Sequence, residues 1–84
     1  MPQTYLLRRL EVANRFGLPK TTFQERINEG LITPPINLGG RAVAWPDYEI
    51  DQIISAMIAG YSKDEIKALI QELIHQRTQL AQAS

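Results

Sequence analysis

The sequence contains no cysteine, which excludes both a disulfide framework and a thiolate metal site and fits a reducing compartment. Its one histidine, His75, has no second imidazole or thiol near it to complete a ligand set, so a solvated or packed role is the expected one. Long apolar runs are missing too. The longest, residues 53–61, is broken by Ser55 and falls short of the roughly 20 residues a membrane span needs. The opening "MPQTYLLRRLEV" has no apolar core ahead of its arginines, so no signal peptide is expected. The chain reads as soluble and cytoplasmic.

Excess charge of either sign is also missing, since nine cations balance nine anions. Bulk attraction to a polyanion is therefore weak. The distribution is less even than the total. Residues 1–45 carry six cations (Arg8, Arg9, Arg15, Lys20, Arg26, Arg41) against three acids, a net +3, and residues 46–84 carry the mirror-image −3. Such asymmetry between halves hints at a nucleic-acid face on the basic half. At 84 residues the chain makes one small domain, 1–84, that buries only ~60% of its unfolded surface, so a second copy would be a welcome support.

What is present is a sequence of helical stripes separated by breakers. Leu10, Val12, Ala13 and Phe16 form a short apolar face that Gly17 closes. Pro19 suits the start of a second helix, in which Phe23 and Ile27 recur at i, i+4 and turn inward. Gly30 stops that helix, and Pro34-Pro35 forces an extended segment. In "INLGGRAVAW", Ile36 and Leu38 alternate on one arm and Val43 and Trp45 on the other. Gly39-Gly40 supplies the positive φ angles of a two-residue turn. An isolated hairpin is barely stable, so this one must lean on the helices. Pro46 and the acids Asp47, Glu49 and Asp51 open a third helix with an apolar face of Ile50, Ile53, Ile54, Met57 and Ile58. Ser62 and Glu65 form a capping-box pattern for a fourth, whose stripe fades past Arg77 into a frayed "AQAS" end.

This order is mainly α and has the layout of a winged helix-turn-helix: a helix pair over about 9–30, a hairpin wing over about 35–45, and C-terminal helices over about 46–59 and 63–80. In that layout the second helix enters the major groove of double-stranded DNA, its N-terminal residues leading. Thr21, Thr22, Glu25 and Asn28 then point away from the core, with Gln24 and Arg26 on the flanks. Threonine offers a hydroxyl and a methyl, glutamine can pair with adenine, and arginine with guanine or phosphate. Leu18 and Pro19 have no side-chain acceptor, so the first N–H groups of this helix stay free for a phosphate. Lys20 stands at the same end, Arg41 at the wing tip, and Arg8 and Arg9 beside the groove as backbone contacts. Trp45 and Tyr48 read as core and wing packing.

On the fourth helix, Ile66, Leu69, Ile70, Leu73 and Ile74 form a stripe wider than one neighbour needs. Either it packs on the third helix alone, or it also pairs two copies. Pairing would matter, because a lone module binds DNA non-specifically at only ~10⁻⁴–10⁻⁶ M. No Ser–His–Asp set, phosphate loop or pair of facing carboxylates is present, so neither an enzyme nor a cofactor is expected.

"LLRRLEVANRFGLPKTTFQERINEG" followed by "NLGGRAVAWPDYEIDQII" resembles AlpA-type regulators of phages and prophages, the second segment carrying that family's "GGRAV.W" wing. "EGLITPP" and "GYSKDEIKALI" are similar to parts of MerR-type winged regulators, in a superfamily that also holds phage excisionases. The resemblance covers roughly residues 6–77. It implies a DNA-binding transcriptional regulator of mobile-element genes, bacterial or phage-encoded, and, with the long effector domain or coiled coil of MerR-type sensors missing, no small-molecule ligand. It places recognition on Lys20, Thr21, Thr22, Gln24 and Arg26, with Arg41 in the wing. Pro19, Gln24 and Ala44 depart from the residues common in that family. Two other uses of the same surfaces stay open: an excisionase-like factor that bends DNA, and an anti-repressor or protein-interaction module acting through the fourth helix.

Overall fold

A computed structural model describes residues 4–83. In chain order the elements are β1 (Leu6–Arg8), α1 (Arg9–Phe16), α2 (Lys20–Asn28), β2 (Ile36–Gly39), β3 (Ala42–Pro46), α3 (Asp47–Ile58) and α4 (Lys63–Ala83). The strands form one antiparallel sheet in the order β1-β3-β2. The sequence reading contained the hairpin but not β1. This third strand is what the hairpin leans on first: Leu7 lies opposite Trp45 and Arg8 opposite Ala44, and the Asp47 N–H extends the pairing to the Tyr5 carbonyl at 2.8 Å. As the central strand, β3 is buried on both faces, with Trp45 on one side and Ala44 and Pro46 on the other.

The break between α1 and α2 is a closed turn. Gly17 sits at φ 69°, a left-handed conformation that a Cβ disfavours. That conformation lets the Gly17 N–H reach the Asn14 carbonyl and the Leu18 N–H reach Ala13, at 3.0 and 3.1 Å. The last carbonyls of α1 are thereby satisfied. Pro19 then takes the N-cap of α2 in an extended conformation, with no side-chain cap. The hairpin turn lies one residue later than the sequence suggested. Gly39 pairs with Ala42, so Gly40 and Arg41 are the two turn residues and Leu38 is bulged out. The Gly39 N–H also donates to the Asn37 side chain at 2.7 Å.

Two apolar clusters meet at Phe16. One joins the sheet to α1 and α2 through Leu7, Val12, Phe23 and Trp45. The other joins α3 to α4 through Ile53, Ala56, Ile70 and Leu73. Two expected core residues lie outside them: Leu10 is 72% exposed and Ile58 is 81% exposed. Met57 is also exposed and Ile54 only half-buried. The buried arc of α3 runs through Glu49, Ile50, Ile53 and Ala56. At about 100° per residue this arc is rotated away from Ile58, and small Ala56 lets α4 approach on that side. On α1, Leu10 falls outside the arc of Val12, Ala13 and Phe16 for the same geometric reason.

Glu49 was expected only as a charge suited to a helix start. It is instead fully buried and held by Arg77 across the fold, Nε donating to Oε2 at 2.7 Å and Nη2 to Oε1 at 2.6 Å. The same Nη2 donates to the Pro34 carbonyl at 2.9 Å. One guanidinium thus joins α4, α3 and the segment before β2. Beside it, burial pushes the Tyr48 phenol up from its ordinary value, the Glu49 carboxylate adding to the rise.

The capping box forms as expected. The Ser62 N–H donates to Glu65 at 3.0 Å, and the Glu65 N–H donates to the Ser62 hydroxyl at 3.2 Å. The backbone N–H of Ser62, and then its hydroxyl, hold the Glu65 carboxyl below the usual glutamate range. A lowered folded-state value stabilises the fold above the unfolded pKa, and that stabilisation is lost as pH falls through the lowered value. Glu65→Gln is therefore expected to flatten the acid limb of a Tm-against-pH curve below about pH 5; an unchanged limb would place acid sensitivity elsewhere. α4 continues through Ala83, past the point where fraying was expected, and Ser84 lies outside the described residues. Among the described residues no helix is long and apolar enough to cross a membrane.

Candidate nucleic-acid interface

α2 buries Phe23 completely and Ile27 in part, and leaves Lys20, Thr21, Gln24, Glu25 and Asn28 exposed. That pattern follows from the spacing of its two large apolar residues. Thr22 is half-buried at one edge of the exposed face.

The exposed face is partly pre-set. Arg9 donates from Nη1 to the Gln24 Oε1 at 2.9 Å, and the Gln24 amide donates to the Asn28 Oδ1 at 3.1 Å. Two residues expected to touch DNA separately, Arg9 and Gln24, are thus joined. The Arg9 guanidinium also lies over the Trp45 ring, 5.4 Å from its centroid, a cation–π arrangement. Trp45 meets Phe23 edge-on, their centroids 5.3 Å apart, and donates from its indole nitrogen to the Thr33 carbonyl at 2.7 Å. One buried ring therefore fixes β3, α2 and the Arg9–Gln24–Asn28 chain together. The Thr33 hydroxyl is buried with no hydrogen-bond partner among the described residues.

The other expected residues are dispersed. Arg8 is exposed on the edge strand β1, and Arg41 is exposed at the hairpin tip. Arg26 lies two residues beyond Gln24, roughly 160° around the helix axis, where it lines a hollow with Phe16, Met57 and Lys63. Arg15 pairs with Asp51 at 3.6 Å, both well exposed, a contact of small energetic weight. His75 is exposed and within 3.2 Å of the Gln79 amide. On α4, Ile66, Ile70 and Leu73 are buried in the chain's own core, while Leu69 and Ile74 are half-buried. Among the described residues no group of three or more acids or histidines is arranged to hold a metal ion.

Chemically, the α2 face offers hydroxyls, amides, one carboxylate and a lysine, a set that can donate to and accept from base edges. Sequence reasoning did not find the bonds that orient it. Gln24 and Asn28 at i, i+4 were the available signal. Arg9 was not readable, because its partner is 15 residues away.

The family model described as the prophage CP4-57 regulatory protein (AlpA) matches residues 5–58. The chain belongs to the AlpA family. The AlpA match runs from just before β1 to the end of α3, and so includes α2, the hairpin and Arg9, while α4 lies beyond it. The AlpA family model takes its description from a prophage regulatory protein. It is also similar to a protein described as uncharacterized protein ORF88 of Enterobacteria phage P4, with 38% identity over 58 residues. That alignment covers 69% of this AlpA-family chain and 66% of the relative, just under two thirds of the relative's length. No solved structure matches the chain.

Proposed function

We propose that the protein is a sequence-specific double-stranded DNA-binding regulator of prophage or mobile-element genes. α1 and α2 act as a helix-turn-helix and β2–β3 as its wing. The observation that carries this reading is the polar face of α2, left uncovered by the fold and braced by the Arg9–Gln24–Asn28 chain. Thr21, Gln24 and Asn28 read base edges, with Thr22 at the margin. Lys20 and the uncapped N–H groups of α2 meet a phosphate, and Arg41 contacts the backbone or minor groove from the hairpin tip. Arg8 lies on an exposed edge and adds a phosphate contact. Arg26, on the far flank, is left out of the reading set. Pairing of two copies through α4 would fall to Leu69 and Ile74, because Ile66, Ile70 and Leu73 face α3.

The test is fluorescence anisotropy with labelled duplex from the region upstream of the protein's own gene, against a scrambled duplex, at ~50 and ~200 mM salt. Preferential binding that weakens with salt is expected. Thr21→Ala with Gln24→Ala should erase the preference, losing about 1–3 kcal/mol per base contact. Arg41→Ala should weaken both duplexes alike and reduce the salt slope by about one. Equal and feeble binding to both duplexes, indifferent to these changes, would sink the reading.

A further inference from the structure

Where the turn after α1 faces the corner between α3 and α4, a hollow of about 240 Å³ opens to the surface. Its lining is apolar and aromatic, with Phe16, Leu18 and Met57 prominent, apart from two cations, Arg26 and Lys63. No acidic side chain lines it. Neither the Arg26 nor the Lys63 side chain has a hydrogen bond or ion pair with any described residue. Arg26 is half-buried, so a guanidinium rests against apolar surface without a counter-charge, an arrangement that favours an incoming anion. Lys63 is the first residue of α4, at the positive end of a helix where a cation is disfavoured. The nearby Glu65 carboxylate is engaged by Ser62. Two cations thus stand at one apolar mouth.

The geometry points to a docking site for an acidic amphipathic helix of a partner protein. One leucine- or phenylalanine-sized side chain enters the hollow, and a carboxylate on the next turn meets Arg26 and Lys63. The size argues for a side chain rather than a free metabolite, since small-molecule sites run to ~300–1,000 Å³. The surroundings argue for a protein segment, because Met57, Ile58 and Tyr61 carry exposed apolar surface beyond the mouth, and methionine adapts to varied partners. Helix-in-groove recognition uses this combination. Lys63 and Tyr61 lie past the family match, which ends at residue 58, so the site forms where the AlpA portion meets α4. It faces away from the Gln24 flank and stands whether or not α2 reads DNA.

The test uses ¹⁵N-labelled full-length protein and a synthetic helix-forming peptide with Leu and Phe at i, i+4 on one face and glutamates elsewhere. A peptide with lysines in place of the glutamates and the small apolar anion decanoate serve as comparisons. Saturable binding of the acidic peptide is expected, with amide shifts gathered at Phe16, Arg26, Met57, Tyr61 and Lys63. The basic peptide should bind at least about tenfold more weakly, and Lys63→Glu should cut acidic-peptide affinity by a similar factor. That exposed substitution suits a helix start, so the fold is kept, and binding to the upstream duplex should be unchanged. Equal binding of both peptides, or shifts elsewhere, would overturn the proposal. So would decanoate displacing the acidic peptide at equal affinity, which would assign the hollow to small apolar anions. A dimer in sedimentation that Lys63→Glu dissolves would overturn it in favour of a second copy.

Discussion

Arg77→Met is expected to destabilise the protein by about 3–5 kcal/mol, the usual effect of removing one partner from a buried ion pair. For a domain of this size that is on the order of 20 °C in Tm, and a large share of a total stability of about 4–13 kcal/mol. The cause is Glu49, which is fully buried and would be left with no guanidinium to satisfy its two carboxylate oxygens. The Pro34 carbonyl would lose its donor as well. The double variant Glu49→Leu with Arg77→Met should recover most of the loss, since replacing a whole buried pair by apolar residues is often neutral. Urea titration followed by circular dichroism and Trp45 fluorescence measures both. A loss under about 1 kcal/mol in the single variant would mean that water reaches Glu49 and that the pair matters little.

Trp45→Ala is expected to lose about 3–5 kcal/mol from the cavity alone. Its functional consequence should be larger than that number suggests. The ring touches Phe23 of α2 and the Arg9 guanidinium, so its loss loosens the hairpin and the Arg9–Gln24 bond together. Trp45→Phe separates the two effects. It keeps a ring beside Phe23 but leaves the buried Thr33 carbonyl without its donor, at a cost of about 1–3 kcal/mol. The protein should still fold, with its preference for the upstream duplex reduced and its salt dependence intact, as read by anisotropy beside a thermal melt. Undiminished preference in Trp45→Phe, with the melt lowered, would show that the α2 face does not depend on this bracing.

Local chemistry was readable in the sequence, and long-range pairing was not. Gly17 announced its turn because a helix end with a left-handed residue has few alternatives. Ser62 and Glu65 announced their cap because both partners lie within four residues. β1 was hidden by brevity: three residues show no alternation, and only the need of β3 for a second neighbour called for it. Glu49 and Arg77 are 28 residues apart, and nothing in the local pattern distinguishes a helix-start acid that stays in water from one that is buried. Leu10 and Ile58 mark the opposite error, apolar residues at helical spacing that fall outside the buried arcs of α1 and α3 respectively. The α2 face was legible as a set of residue types, since Phe23 and Ile27 fix which side turns inward. The hollow beside Arg26 was not, because it is assembled from four separate segments.

The span between Glu49 and Arg77 also sets how much of α4 the fold can spare. A cut in α4 beyond Arg77 leaves the guanidinium on Glu49 and on the Pro34 carbonyl, whereas a cut before it removes both contacts at once. Trimming from the C-terminal side should therefore be tolerated up to Arg77 and not past it, so that a single side chain marks the working length of the last helix.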